Sequence, residues 1–144
     1  MSAGWSAPEP ASRALKGGRT PRVGDTELFE MLAAESERRG PVLISGLEEL
    51  AGSGKTDPDR LEKLRVEAHG LKGAALVVGQ ERLAELARLM EQYLAGCVKK
   101  GRIEPGSAAK LVTAASAFSE GAQAAAEGIA EPAEVGRSLE ALSD

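Results

Sequence analysis

The chain has 144 residues, of which 42% are apolar and only 3% aromatic. A chain of this length forms one domain more readily than two, since domains usually hold roughly 100 to 200 residues. A core of Ala, Leu and Val suits close helix packing better than sheets, so the composition favours an all-α fold. One Cys excludes an internal disulfide framework, and one His, at position 69, restricts imidazole chemistry to a single site.

Charge is unevenly distributed around a net value of −4. Residues 1–24 carry four basic groups and one acidic group, whereas the remainder carries 14 basic and 21 acidic groups. Such an acidic body argues against nucleic-acid binding, which needs a basic face. No uncharged run approaches the roughly 20 apolar residues of a membrane span, and no apolar signal region begins the chain. We therefore expect a cytoplasmic protein without membrane insertion.

In chain order, residues 1–24 have the composition of a flexible arm, and residues 25–144 form the helical domain. Asp25 is predicted to be the N-cap of a first helix, with a kink or a break at Gly40-Pro41. Residues 51–56 are predicted to form a linker. The apolar stripe of the first helix comprises Leu28, Leu32, Val42, Leu43, Leu47 and Leu50.

Start signals are strongest for the second helix, where Asp57 is the predicted N-cap and Pro58 the first helical residue. It should run to about Val78 and end at Gly79. A third helix is predicted from about Gln80 to Lys99. The second stripe comprises Leu64, Ala68, Leu71, Ala75 and Val78, and the third comprises Leu83, Ala87, Met90, Leu94 and Cys97.

A fourth helix should follow a turn at Pro105-Gly106, and Pro132 should start a short fifth helix. The fourth stripe comprises Ala108, Leu111, Ala115, Phe118, Ala122, Ala125 and Ile129, and the fifth comprises Val135, Leu139 and Leu142. Four long amphipathic helices with short connections predict an antiparallel four-helix bundle with a short fifth C-terminal helix.

Two further features of the sequence contain residue types that can carry chemistry. Gly-Ser-Gly-Lys-Thr at 52–56 resembles the end of a phosphate-binding loop, in which Lys55 would contact a nucleotide. The loop needs an earlier glycine where this chain has Glu49, and a helix precedes it instead of a strand, so a linker is favoured. Cys97 lies on an apolar stripe, which is typical of a small buried hydrophobe, and one Cys and one His make a metal site improbable.

His69 points away from the apolar stripe of its own helix, at about 140° from the stripe's centre. Lys72 and Gly73 follow three and four residues later, so a cation and a bare helix flank lie beside the imidazole. Glycine costs about 1 kcal/mol relative to alanine inside a helix, so Gly70 and Gly73 indicate close approach by another surface. This arrangement suits a phosphoryl acceptor over which a partner enzyme docks.

Glu91, one residue after the core position Met90, lies at the edge of the third helix's stripe. There it could accept a hydrogen bond from the imidazole and fix its tautomer. Lys72 could tune a phosphoryl state but is too weak to catalyse transfer alone. The catalytic machinery is therefore expected in partners.

The segment Ala68-His-Gly-Leu-Lys-Gly-Ala-Ala75, with the later Gly79, resembles the signature of histidine phosphotransfer (HPt) domains. The closer likeness is to the phosphoacceptor domain of CheA-type chemotaxis histidine kinases. Leu89-Met-Glu-Gln-Tyr-Leu94 is similar to the family's third-helix motif, and Lys99-Lys-Gly-Arg-Ile-Glu-Pro105 to the loop before its fourth helix. The likeness spans about residues 25–142.

Two positions depart from the CheA-type pattern. Gly70 stands where Ser or Thr is common, and Arg88 stands at the place of a second histidine near the third-helix motif. Both differences bear on the tuning of phosphorylation and not on the acceptor itself.

The resemblance implies a two-component phosphotransfer module. A histidine kinase catalytic domain, which binds the ATP and Mg²⁺, would phosphorylate His69, and a response regulator receiver domain would take the group onto an aspartate. Lys72 would offset phosphoryl charge, Glu91 would orient the imidazole, and Gly70, Gly73 and Leu76 would admit the partner. The chain itself would need no cofactor or metal and would be monomeric as an isolated domain.

Three alternatives stay open at this point. The chain could be a non-catalytic helical adaptor that kept the bundle and lost phosphotransfer. It could be a free-standing phosphorelay shuttle or a domain of a larger kinase, which leaves its status as an enzyme undecided. A nucleotide-binding role would require ATP binding that depends on Lys55.

Overall fold

The computed structural model describes residues 23–53 and 57–143. Those residues form five helices and no strands, which confirms the all-α prediction. The predicted flexible arm, apart from residues 23 and 24, and the Lys55 of the phosphate-loop hypothesis lie outside the described residues. The helices are α1 (Val23–Ser53), α2 (Pro58–Val78), α3 (Glu81–Lys100), α4 (Pro105–Glu127) and α5 (Ala133–Ser143).

Helix α1 is longer and more continuous than its sequence predicts. It begins at Val23, so Asp25 lies in the first turn, near the positive end of the helix dipole, and is not the N-cap. The helix also continues through Pro41, which makes the predicted break wrong. Leu32 and Leu43 are fully buried on either side of the proline. Burying each contributes about 1.5 to 3 kcal/mol, which offsets the roughly 3 kcal/mol that an internal proline costs.

The predicted stripe of α1 is only partly buried. Leu28 is 36% exposed and Val42 is 51% exposed, so both assignments to the core are wrong. Val42 precedes the buried Leu43, and because neighbouring residues on a helix point about 100° apart, Val42 lies on the solvent side of the buried stripe. The other predicted members, Leu32, Leu43, Leu47 and Leu50, are buried.

Helix α2 begins and ends as predicted. The Asp57 carboxylate accepts a hydrogen bond of 3.1 Å from the backbone N–H of Arg60, and Pro58 is the first helical residue. Gly79 ends the helix with φ of 79°, the left-handed conformation that glycine adopts without strain. Residues Leu64, Ala68, Leu71 and Ala75 are buried, and Val78 packs against the core from its edge.

The last three helices differ from their predictions mainly at their ends. The whole predicted stripe of α3 is buried, and a left-handed Gly101 follows the helix. Helix α4 begins at Pro105 itself, where a missing N–H costs nothing, so no turn precedes it at Pro105-Gly106. Ile129 is 60% exposed, not buried as predicted, because α4 ends at Glu127 and the chain turns at Gly128. Helix α5 begins at Ala133, one residue after the predicted Pro132.

One core holds the helices together. Helix α2 packs against α1 and α3, α1 also packs against α4, and α5 packs against α3 and α4. Because the buried stripe of α2 faces this core, the opposite side of α2 faces solvent. The largest fully buried side chains include Phe118, Leu32, Leu43, Leu47, Leu61, Leu71, Leu86, Met90, Leu94 and Leu111.

Among the described residues, no helix combines the length and the apolar character needed to span a membrane.

Candidate functional site

His69 lies on the solvent side of α2. Its neighbour Ala68 and the following Leu71 are buried in the core, whereas 61% of the His69 side chain is exposed. The rotation of about 100° per residue along the helix explains the contrast between adjacent positions. An exposed imidazole is therefore presented by a well-packed helix.

A carboxylate from the neighbouring helix α3 holds the imidazole. His69 Nδ1 lies 2.9 Å from Glu91 Oε2. An ionised carboxylate can only accept, so Nδ1 carries a proton and donates the hydrogen bond to Glu91 Oε2. In the neutral imidazole the lone pair is then on Nε2, the nitrogen that a nucleophilic reaction needs.

Glu91 is ionised in spite of being largely buried, with 15% of its side chain exposed. Burial raises the pKa of Glu91, but hydrogen bonds from Lys72 and His69 outweigh it, so the net pKa is lowered. The same contacts explain how a charged group is accommodated at the edge of the α2–α3 seam.

Lys72 and Arg65 complete the surroundings of this carboxylate. Lys72 Nζ lies 2.8 Å from Glu91 Oε1, and Arg65 Nη1 lies 3.0 Å from Glu91 Oε2. Arg65 was missed in the sequence, although it precedes His69 by four residues and so shares its helix face. We call the group formed by Glu91, His69, Arg65 and Lys72 the Glu91 cluster.

The two glycines beside His69 lie in different surroundings. A Cβ added at Gly73 would meet no atom within 4 Å apart from the adjoining backbone of its own helix, so the predicted clearing exists there. A Cβ at Gly70 would overlap the guanidinium group of Arg39. The surface that approaches Gly70 closely is therefore the protein's own, because an arginine from α1 fills the space beside it.

Arg39 is held in the Gly70 notch by carboxylates of two helices. Its Nη1 donates to Glu67 Oε1 at 3.0 Å, and its Nε donates to Glu35 Oε1 at 3.0 Å. These contacts tie α1 to α2 beside the histidine. We call Arg39, Glu35 and Glu67 the Arg39 cluster. The Glu35–Arg39 pair has i, i+4 spacing on one helix, but no local pattern indicates the contact between Arg39 and Glu67, which are 28 positions apart.

Exposed apolar side chains share the solvent side of α2 with His69. The predicted Leu76 is 59% exposed. Helical spacing also places Val66 and Val77 on this side, where they are 46% and 68% exposed. A bare flank at Gly73 surrounded by exposed apolar groups is suited to contact with another protein.

The remaining candidates of the sequence take no part in this site. Arg88 pairs with Glu85 at 2.5 Å. Glu49, at the position where a phosphate loop needs glycine, pairs with Arg60. Cys97 is 6% exposed and burial raises the pKa of its thiol, which keeps it protonated. Within residues 23–53 and 57–143, no group of His, Cys, Asp and Glu side chains could hold a metal ion.

A family model described as the Hpt domain matches residues 27–142. The match covers most of the chain, and the protein belongs to the Hpt domain family. Membership implies a histidine phosphotransfer role in two-component signalling. Comparisons with curated proteins and with solved structures return no match.

Proposed function

We propose that His69 is the phosphoacceptor and that Nε2 is the atom that carries the phosphoryl group. One observation supports this above all: the only histidine of the chain is 61% exposed while its Nδ1 is held by a carboxylate. Since the protein belongs to a histidine phosphotransfer family, no other residue can supply the imidazole.

The reaction has two transfers. A histidine kinase catalytic domain, with ATP and Mg²⁺ bound to it, presents the γ-phosphorus to Nε2. The Nε2–phosphorus bond forms as the bond to the ADP oxygen breaks. A carboxylate oxygen of a receiver-domain aspartate then attacks the phosphorus, the Nε2–phosphorus bond breaks, and the imidazole is regenerated with its proton still on Nδ1.

Glu91 and Lys72 have separate roles in these transfers. Glu91 keeps the proton on Nδ1 and stabilises the positive charge that the ring acquires when Nε2 bonds to phosphorus. Lys72 offsets the negative charge of the phosphoryl oxygens. Lys72 Nζ contacts Glu91 Oε1 at 2.8 Å before transfer, and we propose that it turns from that oxygen to the phosphoryl group.

The solvent side of α2 is the proposed docking surface for both partners. Gly73 leaves the flank beside His69 open, and Leu76 lies exposed one turn further along. Arg39, seated at Gly70, forms the boundary of this surface toward α1. The docked domain would approach His69 over Gly73 rather than over Gly70.

Finer features of the assignment belong to the same proposal. The short α5 and the 99–105 loop favour a CheA-type domain in a chemotaxis-like pathway. We further propose that the chain is cytoplasmic, acts as a monomer without a cofactor of its own, and binds no nucleic acid. The acidic net charge of residues 25–144 supports the last point.

We also propose that α1 to α4 form an antiparallel four-helix bundle. Helices α2 and α3 are in contact and are joined by only two residues, Gly79 and Gln80, so the chain must reverse between them. Residues 101–104 connect α3 to α4 over a similarly short distance. Short connections between packed helices are typical of antiparallel neighbours.

Phosphorylation of the full chain tests the acceptor. Incubation with a histidine kinase catalytic domain and labelled ATP should give label that is lost in acid and stable in alkali. His69→Gln should abolish it, while circular dichroism shows an unchanged helical fold. Label that persists in His69→Gln would exclude the assignment, and an unlabelled wild-type chain would favour the helical adaptor.

A further inference from the structure

Glu91 has more partners than a carboxylate that only orients a histidine requires. Three donors approach its two oxygens: Lys72 at Oε1, and both His69 Nδ1 and Arg65 Nη1 at Oε2. The distances are 2.8, 2.9 and 3.0 Å respectively. The carboxylate is thus the centre of a network that joins α2 to α3.

This network creates a conflict for Lys72 if His69 is the phosphoacceptor, a premise taken from the proposed function. A lysine that turns to follow the phosphoryl oxygens gives up its contact with Glu91 Oε1. When it leaves, a carboxylate with only 15% of its side chain exposed loses a charged donor. Loss of a partner from a largely buried charge is costly unless another donor remains.

Arg65 is anchored so that it can stay beside Glu91 when Lys72 leaves. Its Nε and Nη2 donate to the two oxygens of Glu62 at 2.8 and 2.7 Å, one helical turn away. This fork leaves Nη1 directed at Glu91 Oε2. A guanidinium anchored at two points is less free to turn toward His69 than the unbranched chain of Lys72.

We propose that Arg65 is a positioning residue that holds Glu91 in place while Lys72 turns from the carboxylate to the phosphoryl group. Arg65 itself does not touch the reacting atoms. Glu62 supports it by fixing the guanidinium. The Glu91 cluster can therefore accept added negative charge without leaving Glu91 unpaired.

Phosphoramidate, a small phosphodonor, tests this step without any protein partner. The nitrogen–phosphorus bond of the donor breaks as the Nε2–phosphorus bond forms, and ammonia leaves with the protons it already carries. The initial rate is followed on the full-length chain by intact mass. Arg65→Gln should slow phosphorylation about threefold to tenfold, as expected for loss of one charged contact at a partly buried group.

A double-mutant cycle distinguishes the proposed role from a merely structural one. If Arg65 acts by releasing Lys72, then Arg65→Gln should slow the reaction by less than about twofold in a Lys72→Gln background. Equal slowing in both backgrounds would overturn the proposal. Glu62→Gln provides a second variant, and it should slow the reaction in the same direction but less than Arg65→Gln.

Arg137→Gln is the matched control. Arg137 pairs with Glu134 three residues before it, as Arg65 pairs with Glu62, but lies on α5. Phosphoramidate should phosphorylate Arg137→Gln at the wild-type rate. A wild-type rate in Arg65→Gln would overturn the role of Arg65 alone, whereas a wild-type chain that phosphoramidate does not phosphorylate at His69 would overturn the proposed function as well.

Discussion

The two ion-pair clusters beside α2 have opposite arrangements of charge. In the Glu91 cluster, one carboxylate is surrounded by two cations and an imidazole. In the Arg39 cluster, one cation is surrounded by two carboxylates. Only the first can accept a new anion by releasing a cation and still keep its carboxylate paired.

The two clusters also differ in the free space beside the glycine that each adjoins. Gly73, on the side of the Glu91 cluster, has nothing within 4 Å of where a Cβ would be. Gly70 is filled by the Arg39 guanidinium, which ties α1 to α2. Two glycines three residues apart therefore have different uses: one leaves room for a partner, and the other leaves room for the protein's own arginine.

Removing one carboxylate from each cluster should give the largest difference in phosphorylation rate between the two clusters. Glu91→Ala should slow phosphorylation by phosphoramidate about 10- to 100-fold, the usual loss when a group that orients a reactive histidine is removed. Glu67→Ala is the matched change in the Arg39 cluster, and its rate should lie within about twofold of the wild type. The imidazole ¹⁵N shifts should show the proton leaving Nδ1 in Glu91→Ala only. An equal loss of rate in both variants would show that the clusters do not differ in function.

Replacing Gly70 or Gly73 with alanine should have an effect of intermediate size, which is seen in the free energy of unfolding. Gly73→Ala should raise the free energy of unfolding by about 0.5 to 1 kcal/mol, because alanine is the better helix former and meets no neighbour. Gly70→Ala has the same helical gain but must displace Arg39 from its two carboxylates. We expect it to be the less stable variant, by about 1 kcal/mol. Urea denaturation measures both, and equal stabilities would mean that Arg39 costs nothing to move.

Gly73→Ala also separates partner access from intrinsic reactivity. A methyl group there should leave the reaction with phosphoramidate unchanged, since the donor is small. Transfer from a kinase catalytic domain should become slower, because the docked protein has to approach over the filled flank. Slowing with both donors would place Gly73 in the reactivity of His69 and not in docking.

Lowering the pH should have the smallest effect on stability, and protonation should destabilise both clusters. Burial raises the pKa of Glu91, but its hydrogen bonds from Lys72 and His69 bring the net value below the ordinary 4.5. Hydrogen bonds from Arg38 and Arg39 lower the pKa of Glu35. A carboxyl whose folded pKa is lowered contributes stability above its unfolded pKa, and loses it as pH falls through the folded value.

The urea midpoint should therefore fall as pH drops below about 4.5, and Glu91→Gln and Glu35→Gln should each reduce the dependence. Glu127→Gln, an exposed change on α4, serves as the control. A Glu91→Gln profile that runs parallel to the wild type through this pH range would show that the ion pairs of Glu91 contribute no linked stability.

Helix α2 shows how much of the fold the sequence could predict. Asp57 and Gly79 mark its ends through local hydrogen bonds and backbone conformation, and both were predicted. Helix α1 was predicted less well, because continuation through Pro41 depends on burial of leucines against other helices. Local signals therefore predicted helix ends where a cap forms, but not where tertiary packing overrides a helix breaker.

The same distinction between local signals and tertiary packing applies to the site. Composition and 3.6 residues per turn are enough to establish that His69 is the only imidazole, that it faces outward, and that Lys72 lies one turn away. Tertiary structure alone decided that Lys72 is already paired with Glu91 and that Arg39 fills the space at Gly70. Helical periodicity fixes directions within one helix, whereas contacts between helices depend on how their cores bring them together.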